Sequence, residues 1–225
     1  MIKAIVFDFD NTLSNRQQSA YETYDSFFRP LLKDMDPVSY EALLQDMLAY
    51  DCNGTLTMHY RLIPFLHKYG SYFSSDFEEK FTEYFYHNMY RFTPLKKEVI
   101  EVLTRLKEKY KVALLSNGDS FSQHHKIQQA KIESYFDEII VTGDYNCFKP
   151  DPRIFEIMAE KLNVKCEECM MVGDVFSSDI LGAVRANMVP VWITNGNVIP
   201  SSYYHGYRID QLMELFEILK KEEEK

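Results

Sequence analysis

No apolar run in this chain approaches the ~18 residues needed to span a bilayer. The N-terminal apolar run is short and stops at Asp8, so no signal peptide is expected and a cytoplasmic location is. Basic residues are scarce: 25 Lys and Arg stand against 34 Asp and Glu, for a net charge of −9. That balance argues against duplex nucleic acid and against anionic membrane surfaces as partners, because both select for Lys and Arg. A phosphorylated small molecule needs only a local positive site. Cysteine is rare too, with Cys52, Cys147, Cys166 and Cys169 alone. Cys166-x-x-Cys169 has no second pair with which to build a zinc site, so reduced thiols at a helix–strand junction are expected. Asn53-Gly54-Thr55 fits a glycosylation sequon, which has no meaning in the cytoplasm. No Walker-type phosphate loop, Gly-x-Ser-x-Gly elbow, His-Glu-x-x-His or internal repeat occurs.

What is present is a globular composition, 46% apolar and 26% charged over 225 residues. Five nearly continuous apolar runs read as buried parallel strands: 2–7, 112–115, 139–142, 170–172 and 189–193. Helical patterns separate the last four. Thr93-Pro94 and Asp151-Pro152 each read as a helix start, with the cap residue followed by proline at the first helical position. Alternating strands and helices predict an α/β fold with a Rossmann-like parallel sheet and right-handed crossovers.

The first two strands lie about a hundred residues apart, too far for one crossover, so an all-helical insertion is expected. The expected division is an α/β core from 1–14 and 92–225, and a helical cap from 15–91. Within the insertion Asp36-Pro37 and Ser75-x-x-Glu78 read as helix starts, Gly70 as a stop, and Pro64 as a kink or break. The insertion is rich in aromatic residues. Tyr21, Tyr24 and Phe28, and likewise Phe77, Phe81 and Phe85, recur at helical spacing and read as its own core, with a few rings available for a substrate cleft. Residues 220–225 read as a solvated, frayed end.

Asp8-Phe9-Asp10-Asn11-Thr12-Leu13 follows the first strand directly. Residues two apart on a strand share a face, so Asp8 and Asp10 start from one side at the carboxyl end, where open α/β sheets hold ligands. Two carboxylates so close repel unless a cation lies between them or one is protonated. Ser116-Asn117-Gly118 follows the second strand, Lys149-Pro150 precedes a helix, and Gly173-Asp174 with Asp179 follows the fourth strand. Three strand ends thus bring carboxylates and a hydroxyl to one sheet edge, with a lysine nearby.

These four blocks resemble the motifs of the haloacid dehalogenase superfamily over nearly all of residues 1–195. The stretches Ser116-Asn117-Gly118…Gln123…Lys126 and Lys149-Pro150-Asp151-Pro152-x-Ile154-Phe155 are similar to its nucleotide and sugar-phosphate phosphatase branch, including pyrimidine nucleotidases and N-acylneuraminate-9-phosphatases. The resemblance implies a Mg²⁺-dependent phosphatase with a helical cap. Asp8 is then the nucleophile, because a carboxylate can form an acyl phosphate. Asp10 is the general acid and base. Asp8, Asp174 and the main-chain carbonyl of Asp10 are the expected metal ligands. Ser116 and Lys149 contact the phosphoryl group, with Phe9, Thr12, Asn117 and Gly118 as its binding neighbours. Thr12 and Asp179 are also expected to support the inner residues, orienting Asp10, Lys149 or the metal waters. His124-His125 reads as two solvent-facing helix residues, with a substrate contact as the sharper alternative. Arg61 reads as a surface ion pair, with an anionic substrate group as the sharper alternative.

Competing readings share this frame. A 2-haloacid dehalogenase needs neither Asp10 nor a metal. A phosphomutase shares every residue named. A phospho-receiver or inactive binding domain needs no large insert. The partner expected throughout is a small phosphomonoester, a nucleoside monophosphate or a sugar phosphate, and the aromatic-rich insertion tilts the expectation slightly toward a nucleotide, whose base could stack there. A cap after the first motif is expected to act as a lid that excludes macromolecules.

Overall fold

The computed structural model describes residues 1–224. In chain order its elements are β1 (Ala4–Phe7), α1 (Arg16–Phe28), α2 (Pro37–Asp51), α3 (Met58–Tyr69), α4 (Phe77–Asn88) and α5 (Val99–Lys107). They continue with β2 (Lys111–Ser116), α6 (Ser120–Ala130), β3 (Glu138–Val141), α7 (Pro152–Lys161), β4 (Cys169–Gly173), α8 (Leu181–Arg185), β5 (Val189–Ile193), β6 (Tyr207–Ile209) and α9 (Leu215–Glu223). Two compact units result: residues 15–94 form one, and residues 1–14 with those from 95 onward form the other.

The larger unit is built on a six-stranded sheet in the order β3-β2-β1-β4-β5-β6, parallel throughout. Its strands are apolar on both faces because both faces are covered. Ile5, Phe7, Val112, Leu114, Met170 and Val172 pack into one cluster with α5 and α9. Their neighbours Ala4, Val6, Ala113, Leu115 and Met171 pack into the other, with α7 and α8. Burying each Ile, Val or Leu here contributes about 1.5–3 kcal/mol. The chain winds outward from β1 to β2 and β3, then crosses back to β4 on β1's other side. The carboxyl ends of β1 and β4 therefore border the point where the winding reverses, the usual ligand position in such sheets.

The smaller unit is helical, α1 to α4. Tyr24, Phe28, Phe77, Phe81 and Phe85 lie in its core, with Tyr21 packed at the edge. Asp36 caps α2 by accepting from Val38 and Ser39 N–H groups at 3.2 and 3.0 Å. Of the kink or break expected at Pro64, the break does not occur: α3 runs through the proline and stops at Gly70.

Four local readings need correction. The Ser75 capping box does not form: α4 begins at Phe77 after Asp76, with no side-chain cap. Thr93-Pro94 starts no helix, because Pro94 O accepts from Asn15 N at 2.8 Å and α5 begins only at Val99. The strand β6 had no apolar run to reveal it, being three residues at the sheet edge. The expected fray at 220–225 is helical as far as Glu223, whose carboxylate takes bonds from Lys109 and Tyr110; residue 225 lies outside the described residues.

Arg61 corrects a further expectation, since it is buried rather than on the surface. Its Nη1 lies 2.5 Å from Asp51 Oδ1, its Nε donates to Leu56 O at 2.7 Å, and Arg16 grips the other oxygen of Asp51. The Tyr24 hydroxyl donates to Asp51 at 2.9 Å. Burial alone would push the Asp51 carboxyl up, but the two guanidiniums outweigh it and hold the group below its usual range. Removing one partner of a buried pair leaves uncompensated charge, so Asp51→Ala is expected to cost about 3–5 kcal/mol, read as a lowered Tm. Because the folded pKa is depressed, the Asp51 contribution is complete above the unfolded value of about 4 and is lost as pH falls through the folded one. The destabilisation by Asp51→Ala should therefore shrink in acid; an unchanged Tm difference at low pH would contradict the linkage.

Candidate active site

Strand ends deliver Asp8, Ser116 and Asp174, whereas Lys149 comes from the loop between β3 and α7. Asp8 is the first residue beyond β1, and its N–H donates to Val172 O at 2.9 Å, continuing the β1–β4 ladder. Asp174 is the first residue beyond β4. A single π-turn, Phe176–Ile180, then folds the chain back so that Val175 N–H donates to Asp179 Oδ2 at 2.9 Å. Gly173 is required here: a Cβ would lie 2.5 Å from the Asp179 side chain. Trp192 on β5 holds the same loop, its Nε1 donating to Asp174 O at 2.9 Å.

Lys149 occupies the centre, with its side chain 1% exposed. Its ammonium lies 2.7 Å from Asp8 Oδ1, 2.7 Å from Asp179 Oδ1 and 2.9 Å from Leu115 O, which uses all three of its donors. Asn117 fixes the lysine's backbone: its Nδ2 donates to Lys149 O at 3.1 Å and its Oδ1 accepts from Lys149 N at 3.0 Å. The Asn117 side chain is thus committed to placing Lys149. Gly118 N–H donates to Thr142 Oγ1 at 3.2 Å. Ser116 and Thr12 are buried, and neither hydroxyl oxygen has a hydrogen-bond partner. Phe9 is wholly buried, so only its main chain is available to a phosphate.

The carboxylates are crowded. Asp8, Asp174 and Asp179 each place an oxygen within 4.8 Å of the others. Burial, with Asp179 adding to it and Lys149 opposing, pushes the Asp8 carboxyl up to about 7. Burial, then the neighbouring Asp8 and Asp179, push Asp174 up to about 8. Asp174 Oδ1 is buried without a partner. Both oxygens of Asp179 are engaged, by Lys149 and by Val175 N–H. Hard oxygen donors, excess negative charge and an orphaned carboxylate oxygen are what a small divalent cation requires, so the residues present fit Mg²⁺.

Three site-edge residues escaped sequence reasoning. Lys96 sits half-buried after the Thr93-Pro94 turn and donates to Asn195 Oδ1; Asn195 Nδ2 in turn donates to Asn11 O at 3.2 Å. Burial lowers Lys96 to about 8, against the pull of Asp174, Glu98 and Asp8. Nothing in its local sequence marks it. The third is Trp192, whose only sign was its place on a core strand. His124 is exposed and lies 2.7 Å from Asp144, while His125, half-buried, lies 2.7 Å from Phe121 O. All four cysteines are free thiols, and no helix among the described residues is long and apolar enough to cross a membrane.

Fold and site together define a parallel α/β protein with a carboxylate–lysine centre at its winding reversal. The chain belongs to the haloacid dehalogenase-like hydrolase family, which it matches over residues 2–187. It is 35% identical to human (Homo sapiens) N-acylneuraminate-9-phosphatase over 56% of this chain and 52% of that protein, so it aligns with about half the length of that relative. It is 28% identical to the glyceraldehyde 3-phosphate phosphatase of Pyrococcus furiosus over 98% of this chain and 94% of that one. Among solved structures, the magnesium-bound HAD-hydrolase YfnB of Bacillus subtilis superposes with a TM-score of 0.79 at 20% identity, covering 97% of this chain and 98% of that one. That likeness is one of fold.

Proposed function

We propose that this protein is a phosphatase that hydrolyses a small sugar-type phosphomonoester through an aspartyl-phosphate at Asp8. One observation carries the reading: Lys149, saturated by Asp8, Asp179 and Leu115 O, pins the Asp8 carboxylate at the strand end beside the orphaned oxygen of Asp174. Mg²⁺ held by Asp8, Asp174 and the Asp10 carbonyl would neutralise charge on the phosphoryl oxygens.

In the first step an Asp8 oxygen attacks phosphorus, the phosphorus–oxygen ester bond breaks, and Asp10 gives its proton to the departing alkoxide. In the second, water attacks the phosphorus of the acyl phosphate while Asp10 takes its proton, releasing inorganic phosphate and restoring Asp8. Lys149 keeps the nucleophile in line throughout, and the Ser116 hydroxyl, otherwise without a partner, donates to a phosphoryl oxygen. A dehalogenase would have no use for Asp10 or for the Asp174 donor.

The aromatic wealth of residues 15–94 favours no nucleotide, because those rings largely form a core. Two relatives named for N-acylneuraminate 9-phosphate and glyceraldehyde 3-phosphate support the sugar-type choice. The test is kcat/KM with Mg²⁺ across sugar phosphates, nucleoside monophosphates and a phosphopeptide, with free phosphate as the product measured. Sugar phosphates should lead. A preferred nucleotide would correct the substrate class, and transfer of phosphate to a second sugar position without phosphate release would make the enzyme a mutase. Within this scheme Asp10→Asn should slow turnover roughly 10²–10⁴-fold. The loss should be smaller on an aryl phosphate, whose leaving group needs little protonation; equal losses on aryl and alkyl esters would remove Asp10 from the acid role.

A further inference from the structure

Lys126 and Gln123 stand three residues apart on one face of α6, and both side chains are buried. Their donors converge on a single atom. Lys126 Nζ lies 2.8 Å from Asp10 Oδ2, and Gln123 Nε2 lies 3.0 Å from the same oxygen. Gln123 Nε2 also donates to Asn117 O at 2.8 Å, which ties the pair to the loop that carries Ser116. The backbone makes room for this arrangement. Gly118 adopts φ +151°, and a Cβ there would lie 2.7 Å from Gln123 Cγ. Ser14 Oγ faces the other Asp10 oxygen, Oδ1, at 3.5 Å.

A lysine side chain only 6% exposed carries a desolvation cost that a methionine of similar size would not. Helix packing alone gives no reason to place a charge there. The charge makes sense if the carboxylate it meets must be held in one orientation. Asp10 has to reach the ester oxygen in one step and the attacking water in the next, and an unrestrained carboxylate would spend much of its time elsewhere. Two donors on Oδ2 fix both the rotamer and the plane of the carboxylate.

We propose that Lys126, assisted by Gln123, is a positioning residue that holds the Asp10 carboxylate in register for proton transfer. The proposal rests on the phosphatase reading above and adds to it a part played by α6. Displacement of a reacting group by about 1 Å can cost ~10²-fold. Lys126→Met is therefore expected to lower kcat roughly 10–100-fold with little change in KM, and by more on an alkyl phosphate than on p-nitrophenyl phosphate.

The decisive measurement is a double-mutant cycle with Asp10→Asn. With the proton-transfer carboxylate gone there is nothing left to position, so adding Lys126→Met to Asp10→Asn should cause no further loss of kcat. A merely structural lysine would instead give multiplied losses, and losses of equal size on both esters. Either result, with active wild-type enzyme, overturns this proposal and leaves the phosphatase reading standing. Wild-type protein that releases no phosphate from any ester tested would overturn both. Circular dichroism and Tm establish that each variant is folded. If Lys126→Met folds poorly, Gln123→Met removes one of the two donors at nearly constant shape. The same cycle then applies to it: no added loss supports the proposal, and multiplied losses overturn it.

Discussion

Asp8→Ala is expected to abolish phosphate release while leaving the protein folded. The loss should be at least roughly 10⁴-fold, the scale seen when a covalent nucleophile is deleted. Retention of the fold follows from the geometry. Lys149 keeps Asp179 at 2.7 Å and Leu115 O at 2.9 Å, so its ammonium is not left bare. The substitution also removes one of three crowded carboxylates, whose mutual repulsion contributes to the raised Asp8 and Asp174 values. The Asp8 main-chain bond to Val172 does not depend on the side chain. The check is phosphate release beside thermal unfolding and, in the wild type, mass-spectrometric capture of a phosphoryl adduct on the peptide containing Asp8. A folded Asp8→Ala variant with near-normal turnover would sink the covalent mechanism.

The same geometry shows why some of this was legible in the sequence. β1, β2, β4 and β5 announce themselves because a parallel sheet covered on both faces needs apolar residues at every position. Asp8 and Asp174 follow β1 and β4 immediately, so once the strands are read, both carboxylates are placed to within a residue. Lys149 was legible only through its motif, since it reaches Asp8 across 141 residues of chain. The contacts of Gln123 and Lys126 with Asp10 span 113 and 116 residues and leave no local trace. Their spacing on α6 shows that they share a face, not what the face meets. Lys96 was illegible for the same reason.

The misreadings also have physical causes. Ser75 and Asp76 are both good cap residues; α4 starts after the second, whose carboxylate is taken by Ser74 and Lys80 rather than by the helix N–H groups. Thr93-Pro94 has the composition of a helix start, yet Pro94 O is taken by Asn15 N. Arg61 was assigned to the surface because arginine is seldom buried. Asp51 and Leu56 O supply what the guanidinium would otherwise take from water, and only the fold could bring Arg16, Tyr24, Asp51 and Arg61 together.

Removal of divalent metal is expected to take activity to background, with Mg²⁺ restoring it and Ca²⁺ doing so poorly. Asp8, Asp174 and Asp179 crowd within 4.8 Å around one lysine, and burial drives two of them well above ordinary carboxylate values. Such a cluster is costly to keep ionised without a cation, and Asp174 Oδ1 has no other partner. Ca²⁺ takes 6–8 ligands at 2.3–2.6 Å where Mg²⁺ demands a tight octahedron near 2.0–2.1 Å, roughly 0.3–0.5 Å closer, so Ca²⁺ would hold the same carboxylates too loosely for in-line attack. A second readout is independent of turnover. Mg²⁺ at about 100 times its Kd should stabilise the folded protein by about 2.7 kcal/mol, seen as a rise in Tm. Asp174→Asn should remove most of that rise, because the orphaned oxygen becomes part of a neutral amide with weaker affinity for a hard cation. Full turnover in chelator, with no Tm response to Mg²⁺, would reject the metal and reopen the dehalogenase reading, in which a single aspartate attacks carbon without one.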